Sequence, residues 1–496
     1  MPEYLRSLVV VIFFAVLIFT LSKKAFVSTL SQDEIKRFRN IWLVTTCLAF
    51  LSHNFWLFLL FVALYLLYIS KRESNKPSLF LLLLFVIPPV SEYIPGLGIL
   101  NQLFEISLPR LLSLVLLLPV FLSAQAKWDG FKFGKTLPDK FFITFIILCT
   151  VLQVRSTTFT DTLRFGFYLF TDAFLPYYAF SRGLRSFHDI KKASIALICA
   201  SLIAALIGLF EYLKHWLIYV TLPGALNSSW HFGSYMLRGG EIRAMASLMH
   251  PIILGYLMVV CLGFYFYLSP SIKNKNYRLT GLLTIVGGLF STLSRGPWLG
   301  GIILAVAYLA TGKKPILKLL SLTIFTSLFI AVLTVVPGGE KFYNFLPYLG
   351  KTQSENIDYR EKLYTNSKIV IDRSPLFGSV NFLQTPEMRE MVQGEGIVDI
   401  VNTYIGVALT YGYVGLILFV GVFLSIIYKI YKIINKLQDK ASEKHLLGRC
   451  LISTIVGLMV VISTASGIGI VPTLYWAVAG MGVAYIRLVE ISRINI

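Results

Sequence analysis

The sequence predicts an all-α fold: a polytopic bundle of about 12–15 transmembrane helices with one long, partly helical extracytoplasmic loop. Composition supports this class, because 56% of the 496 residues are hydrophobic and the mean hydropathy is +0.73, well above a soluble domain. Apolar blocks also recur from residue 7 to residue 486. Short basic segments separate the blocks, which is typical of helical membrane proteins and not of membrane barrels.

Each apolar block is assigned a helix by its length and hydropathy. Two of the blocks are irregular. Residues 41–70 suit two short helices that turn at 52–54, and residues 166–181 contain Asp172 and Pro176, which indicate a broken or re-entrant helix. The predicted helices cover residues 7–22, 41–52, 54–70, 78–92, 108–124, 140–154, 166–181, 192–212, 248–269, 279–294, 297–311, 315–336, 402–428, 450–466 and 472–487.

The basic residues orient the chain in the membrane. Assigning alternate loops to the cytoplasm places 30 of the 45 Lys and Arg on that side, as the positive-inside rule expects. Residues 1–336 then form transmembrane helices with a smaller outer loop at 213–247. Residues 337–400 form a long outer loop with helical patterning at 358–372, and residues 401–496 return to transmembrane helices. A polar loop of this length is usually functional or disordered, and its aromatics favour order.

Several classes of function are disfavoured. The net charge of +20 does not indicate nucleic-acid binding, because most basic residues lie in short loops between apolar blocks. The five cysteines all fall in apolar blocks and have neither disulfide nor metal spacing. No Walker loop, dinucleotide fingerprint or metal-ligand cluster is present. We therefore predict no cofactor, no metal site and no cytoplasmic ATP-driven chemistry.

Arg295 is the only charge inside the apolar run 279–310. A guanidinium keeps its proton, so its burial requires a partner. Gly296-Pro297 follows, and proline suits the first turn of a new helix. Two helices therefore meet here, and the free N–H groups of the second, beside a fixed positive charge, predict an anion site.

Other arginines on the predicted outer side suit the same anion. Arg164, Arg243 and Arg360 lie there with Arg295, and the planar guanidinium fork can donate two hydrogen bonds to phosphate oxygens. The natural extracytoplasmic anion of a bacterial membrane is the diphosphate of a polyprenyl-linked sugar. The alternative is that these arginines are interfacial anchors whose charged ends reach water.

Three stretches, in this order, carry a resemblance. The first runs from Arg243 through His250-Pro251 to Gly255, and the second is Ser294-Arg295-Gly296. The third comprises Tyr359-Arg360, Leu363-Tyr364 and 372–378, followed by 402–404 and 411–416. The ordered set resembles the O-antigen ligase and polysaccharide polymerase superfamily over roughly residues 240–425.

The resemblance implies a multi-pass glycosyltransferase of the bacterial inner membrane with a periplasmic long loop. The enzyme would transfer or polymerise a glycan from a polyprenyl (undecaprenyl) diphosphate donor to a glycan or lipid acceptor, in O-antigen or exopolysaccharide assembly. Membrane lipids would surround it, and a copolymerase or other assembly protein is an expected partner. Arg243, Arg295 and Arg360 match the motifs and would hold the diphosphate.

The chain departs from the superfamily at one position. The ligases have a His-Asn pair at the start of the helix after the loop, where the His is the proposed base, and this chain has Val401-Asn402. Asp399, Glu395 and His250 are the candidate replacements. The alternatives are that His250 only caps a helix and that Asp399 is an N-terminal acid of the next helix. The missing His favours polymerisation over ligation to lipid A core.

Asn402, Tyr404 and Trp298 are the candidate glycan contacts, because sugars stack on aromatic rings and hydrogen-bond to amides. For the two aromatics the alternative is the interfacial aromatic belt. Two other functions remain open. A transporter or flippase of the lipid-linked glycan would need similar arginines and aromatics, and it would also show symmetric halves. A non-catalytic subunit of an envelope complex would tolerate lysine in place of these arginines.

Overall fold

The computed structural model describes residues 1–96, 102–124, 132–155, 158–230, 235–335, 355–393 and 396–494. These residues divide into two compact units. Unit 1 comprises Met1–Trp128, Thr171–Pro297 and Gly469–Ile496, and unit 2 comprises Asp129–Phe170 and Trp298–Ile468. Each unit is therefore assembled from segments far apart in the chain.

Helices make up nearly all of the regular structure. Helices α1 to α10 are Glu3–Ala25, Gln32–Leu51, Phe55–Ser70, Lys76–Leu83, Leu108–Leu112, Leu118–Ala124, Leu137–Gln153, Phe159–Leu169, Leu175–Gly183 and Phe187–Lys214. Helices α11 to α20 are Leu222–Ala225, Pro251–Leu268, Lys275–Ser291, Arg295–Ala310, Pro315–Val335, Glu355–Arg373, Pro386–Arg389, Thr403–Asn435, Glu443–Ile462 and Val471–Ile494. Two antiparallel pairs of strands complete the list, β1 (Ser91–Pro95) with β2 (Gln102–Ser107) and β3 (Leu237–Arg238) with β4 (Glu241–Ile242).

The all-α polytopic class is confirmed. Among the described residues, six helices are long and apolar enough to cross a membrane: Glu3–Ala25, Phe187–Lys214, Pro251–Ser271, Thr403–Asn435, Glu443–Ile462 and Val471–Ser492. Four shorter apolar helices accompany them: Phe55–Ser70, Leu108–Ser123, Arg295–Ala310 and Pro315–Leu328. The protein is thus a multi-pass membrane protein.

Helix α10 forms the centre of unit 1. It is buried along most of its length and contacts α1, α4, α12 and α13. Small residues permit this crowding, because they let helix backbones approach closely. A Cβ added at Gly208 would lie 2.9 Å from Leu254 of α12. Likewise, a Cβ at Gly288 of α13 would lie 2.7 Å from the Cβ of Ala205.

The prediction of a helix at residues 78–92 was wrong for the second half of that range. Helix α4 ends at Leu83, and the chain continues into strand β1 at Ser91. The physical reason is Pro88-Pro89, because proline lacks the N–H that a helix needs and disfavours a helical residue before it. Residues 91–95 instead pair with residues 102–107 as antiparallel strands.

The predicted helical hairpin within residues 41–70 is confirmed as α2 and α3. His53 has a φ of 50° at the turn, and the Oδ1 of Asn54 accepts hydrogen bonds from the first N–H groups of α3. Helix α2 begins nine residues earlier than predicted, because Ser31 and Glu34 form a capping box there.

The predicted break within residues 166–181 is also confirmed. A π-helical segment, Phe170–Phe174, separates α8 from α9. Pro176 explains the irregularity, because it cannot donate the helical hydrogen bond to the carbonyl of Asp172. A second π-helical segment, Ser113–Leu117, precedes Pro119 in the same way.

In unit 2, helix α18 contacts α7, α16 and α19. The helical patterning predicted at 358–372 is confirmed as α16. Residues 337–354 of the predicted loop lie outside the described residues.

Helix α18 is interrupted at Gly412, which has a φ of 69° and a ψ of −171°. A turn at 375–378 fits into the interruption. The Tyr413 N–H, which would bond to Leu409 in a continuous helix, donates to the Pro375 carbonyl at 2.7 Å. The Leu409 carbonyl accepts from Ser379 N–H at 2.9 Å instead. We call this join of turn and helix the α18 seam.

The glycine Cα atoms pack directly on backbone in the seam. A Cβ added at Gly412 would overlap the Leu376 carbonyl group. Gly378 has a φ of 66°, and a Cβ there would lie 2.6 Å from the carbonyl carbon of Thr410. Arg155 closes the seam by donating to the Phe377 carbonyl at 3.0 Å. Both glycines are therefore required by conformation and by space.

Candidate active site

The Ser-Arg-Gly motif lies where two helices meet, as predicted. Helix α13 ends at Ser291 and α14 begins at Arg295. Between them Leu293 has a φ of 44°, which is unusual for a branched side chain and marks a strained backbone. The Arg295 side chain is partly buried. The start of an α-helix presents N–H groups that have no partner within the helix, which in general suits an anion.

Arg243 belongs to the first motif, and the structure brings it to the second. Its Nε donates to the Thr292 carbonyl at 3.2 Å, and its Nη2 donates to the Ser294 hydroxyl at 2.8 Å. Arg238 donates to the next carbonyl in the same break, that of Leu293. Two arginines of the 213–247 loop thus converge on the residues that precede Arg295.

The electrostatics of this arginine cluster favour an anionic ligand. Burial and the nearby charge of Arg238 lower the pKa of Arg243 to about 9, which leaves it cationic at neutral pH. Arg243 donates its hydrogen bonds to uncharged oxygens, and among the described residues no carboxylate forms an ion pair with it. An anion would therefore relieve an unfavourable field.

A buried carboxylate that sequence reasoning missed positions the arginine loop. Glu211, near the end of α10, accepts from the N–H groups of Ile218, Met245 and Ala246 at 3.0, 2.9 and 2.8 Å. Its side chain is 1% exposed. Because Met245 and Ala246 follow Arg243 closely, these bonds fix the backbone that presents the guanidinium. The only sequence signal was an acidic residue in an apolar block.

Replacing Glu211 with glutamine is expected to lower the free energy of unfolding by about 1–3 kcal/mol. The reason is that one carboxylate oxygen becomes an NH₂ group and then faces backbone donors. Thermal unfolding of the purified protein measures the change. Glu241→Gln, in the loop that Glu211 holds, is the matched control, since Glu241 is only partly buried, and it should unfold at nearly the wild-type temperature. Equal melting temperatures for the two variants would contradict the positioning role.

His250 caps helix α12, which is the contact that the capping alternative expects. Its Nδ1 accepts from Ile252 N–H at 3.2 Å. Burial and the charge of Arg243 lower the pKa of His250 to about 4, so the ring is neutral and its proton lies on Nε2. In this tautomer Nε2 is a hydrogen-bond donor. The role of His250 as a base stays a prediction, and it would require the cap to break.

The remaining charged candidates lie in unit 2. Arg360 is exposed and its Nη2 donates to the Thr464 carbonyl at 3.1 Å. Asp399 is partly buried, and its backbone carbonyl accepts from the Tyr359 hydroxyl at 2.9 Å. Burial raises the pKa of Asp399, and the charge of Arg360 opposes this by a smaller amount. Glu395 lies outside the described residues.

The start of α18 engages two predicted glycan contacts. The Oδ1 of Asn402 caps the helix by accepting from Tyr404 and Ile405 N–H groups at 2.9 and 3.2 Å, so Asn402 and not Asp399 is the cap. The Tyr404 hydroxyl donates to the Met459 carbonyl at 2.9 Å. Trp298 is partly buried in the first turn of α14. The glycan role of these three residues stays a prediction.

Metal ligands are not evident in the described ranges, where no group of three or more His, Cys, Asp or Glu side chains is suited to a metal ion.

Comparison with known proteins gives a match to a family model. Residues 280–420 match the model of a protein family described as O-antigen ligase. The matched segment includes Ser294-Arg295-Gly296, Arg360, Asp399 and the α18 seam. No curated protein matches the chain. The resemblance to the O-antigen ligase superfamily is thereby confirmed.

Proposed function

We propose that this membrane enzyme of polysaccharide assembly is a glycosyltransferase with a polyprenyl diphosphate donor. The premise is the match of residues 280–420 to the O-antigen ligase family. The enzyme transfers or polymerises the glycan on the periplasmic face of the bacterial inner membrane. The acceptor is a glycan or lipid hydroxyl. The chain uses no nucleotide sugar in this proposal.

The observation that carries the proposal is the contact between Arg243 and Ser294 at 2.8 Å. Two motifs that are separate in the sequence meet there, next to the first turn of a helix. A guanidinium that is partly buried among uncharged oxygens, beside the start of a helix, suits a diphosphate. We propose Arg243, Arg295 and Arg360 as diphosphate ligands.

In the proposed reaction, the positive charge of the arginines stabilises the leaving group. The acceptor oxygen attacks the anomeric carbon, the bond from that carbon to the phosphate oxygen breaks, and the hydroxyl proton passes to a base. Lipid diphosphate leaves with one additional negative charge. Guanidinium groups stabilise this developing charge more than the ground state, which lowers the barrier.

Asp399 is the proposed base, and replacing it with asparagine is expected to lower kcat by about 10²–10⁴-fold. A base acts in its deprotonated form, so the wild-type rate should fall as the pH drops through the pKa of Asp399. Because burial raises this pKa, that fall should occur at a higher pH than for an ordinary aspartate. The pH profile of kcat measures both effects.

Asp358→Asn is the matched control for this variant, because Asp358 is an exposed acid of α16 in the same unit. It should keep the wild-type rate and profile. An Asp399→Asn protein with unchanged kcat and an unchanged acid limb would exclude Asp399 as the base and leave catalysis to another group.

The reaction is tested with purified protein in lipid vesicles, a polyprenyl diphosphate oligosaccharide and a gel that separates the products. A ladder spaced by one repeat unit supports polymerisation. A single shift that depends on an added acceptor supports ligation. No product with any acceptor, together with movement of the donor across the vesicle membrane, would overturn the proposal in favour of transport.

A further inference from the structure

A basic cavity lies between helices α2 and α3 of unit 1, and none of the motifs includes its residues. Its volume is about 470 Å³, within the range of about 300–1,000 Å³ for small-molecule sites. It is formed at the start of α2 and the end of α3. The charge pattern assigns this end of the two helices to the cytoplasm, because segments 23–40 and 71–77 are rich in Lys and Arg. Three cations and two tyrosines are among the residues that line it: Lys36, Arg37, Arg72, Tyr65 and Tyr68.

Arg37 joins the two helices at the cavity. Its Nη2 donates to the Ile69 carbonyl at 3.2 Å, and its Nη1 donates to the Arg72 carbonyl at 3.3 Å. The last carbonyls of a helix have no partner within the helix, and Arg37 supplies one. Its Nη1 also lies 3.4 Å from Oε2 of Glu73, a side chain that is 2% exposed. The charge of Arg37 is therefore already balanced, and its role is to hold the shape of the cavity.

The other charged side chains around the cavity form pairs and leave one positive charge unbalanced. Lys36 Nζ lies 3.0 Å from Oδ1 of Asp33. Lys192 Nζ lies 2.9 Å from Glu34 and 3.0 Å from Glu73. Four cations thus stand against three carboxylates, namely Lys36, Arg37, Arg72 and Lys192 against Asp33, Glu34 and Glu73.

Arg72 carries this excess charge. Its guanidinium lies 5.5 Å from the centroid of the Tyr68 ring. Over the ranges that the structure describes, this guanidinium forms no ion pair and donates no hydrogen bond. Because Arg72 is exposed, its five N–H donors are available to the oxygens of a phosphate. Lys36 lines the same cavity, and only one of its three N–H donors is used by Asp33.

Deeper along the helices the cavity becomes apolar. Ile41 and Tyr65 line this part of it. Leu64 and Phe61 precede Tyr68 by four and seven residues, so the three side chains share one face of α3. Leu64 is 57% exposed and Phe61 is 44% exposed. Exposed apolar side chains on a helix of a membrane protein suit contact with acyl chains. The cavity therefore matches a ligand with a charged end and an apolar remainder.

We infer that this cavity binds the headgroup of an anionic phospholipid of the cytoplasmic leaflet, with the phosphate on Arg72 and Lys36 and the acyl chains along the exposed face of α3. A singly charged phosphodiester matches the one excess positive charge. Free phosphate offers the same oxygens but lacks an apolar part. A zwitterionic lipid adds an ammonium group, which the cations repel. Basic pockets between transmembrane helices are suited to lipid headgroups. The inference goes beyond the proposed function and does not depend on it.

Native mass spectrometry of the full chain in a neutral detergent tests the inference. The probes are dioctanoyl phosphatidylglycerol as the anionic lipid, dioctanoyl phosphatidylcholine as the zwitterionic lipid, and inorganic phosphate as the anion without acyl chains. We expect the first phosphatidylglycerol to bind about fivefold more tightly than phosphatidylcholine, since one basic residue near a lipid surface contributes about this factor. Inorganic phosphate at the concentration of the lipid should not displace it.

Replacing the two phosphate donors one at a time localises the binding. Arg72→Gln and Lys36→Gln should each weaken the binding of phosphatidylglycerol about fivefold, and Arg72→Gln should abolish the preference over phosphatidylcholine. Both residues are exposed, so the variants should fold, which thermal unfolding verifies. Lys71→Gln is the matched control, because Lys71 is an exposed neighbour of Arg72 that does not line the cavity. This variant should bind like the wild type.

Four outcomes would overturn the inference. Equal affinity of the wild type for the two lipids would remove the preference for negative charge, and displacement by inorganic phosphate would indicate a site for the free anion. An equal loss in Lys71→Gln and Arg72→Gln would indicate general attraction to a basic surface. Wild-type binding by folded Arg72→Gln and Lys36→Gln would exclude the cavity. Since glycan transfer is not the readout, failure of the proposed function would leave this lipid site standing, and the converse also holds.

Discussion

Replacing Arg243 with alanine is expected to lower the rate of glycan transfer by about 10²–10³-fold. The variant loses a guanidinium that lies next to the start of α14 and is held by Thr292 and Ser294. Loss of this group removes charge stabilisation of the leaving diphosphate. Initial rates with a polyprenyl diphosphate oligosaccharide measure the change, after thermal unfolding has verified that the protein is folded.

Lysine at position 243 is also expected to damage the reaction. An ammonium lacks the planar fork with which a guanidinium bonds to two protein oxygens and to a diphosphate at the same time. Arg6→Ala is the matched control, because Arg6 is an exposed arginine on the same predicted side, and it should retain the wild-type rate. Full activity in folded Arg243→Ala would exclude the proposed donor site. Full activity in Arg243→Lys with loss in Arg243→Ala would indicate a simple point charge.

Replacing Gly412 with alanine is expected to reduce the free energy of unfolding by more than about 3 kcal/mol. The residue occupies a backbone conformation that is almost exclusive to glycine, with a φ of 69° and a ψ of −171°. Its Cβ would also overlap the Leu376 carbonyl group, so the turn at 375–378 would have to leave the helix. Thermal unfolding and the yield of monodisperse protein measure this loss.

Gly406→Ala is the matched control in the same helix. A Cβ there would lie 3.8 Å from its nearest neighbour, Ile400, and alanine has the higher helix propensity. This variant is expected to be as stable as the wild type or slightly more stable. If the Gly412→Ala and Gly406→Ala proteins unfold at the same temperature, the α18 seam contributes little to stability.

The helices and the helix break at Arg295 were predictable, because both depend on local patterns. Apolar blocks require helices in a membrane, and Gly296-Pro297 starts a new helix wherever it stands. The early end of α4 could also have been predicted, because Pro88-Pro89 is a local helix-breaking signal. It was overlooked because it lies within a continuous apolar run. The charge pattern placed Arg243 and Arg295 on one side, and the structure joins their motifs through Ser294.

Pairings between distant residues were not predictable from one sequence. Glu211 bonds to the backbone of residues on the far side of a loop, and no local pattern specifies that return. Asp172 was recognised as a helix breaker, but its arginine partner is 62 residues away. Such contacts depend on which helices pack together, and that choice depends on small residues such as Gly208 and Gly288.

The α18 seam ties the two ends of a chain segment to each other. Ser379 and Leu409 are joined by a backbone hydrogen bond of 2.9 Å. The segment between them therefore begins and ends at the same place. The entropy of closing a loop rises only slowly with its length. The segment is nevertheless not free to vary, because Met388 within it is fully buried against Val370 and Ile371 of α16 and Leu409 of α18.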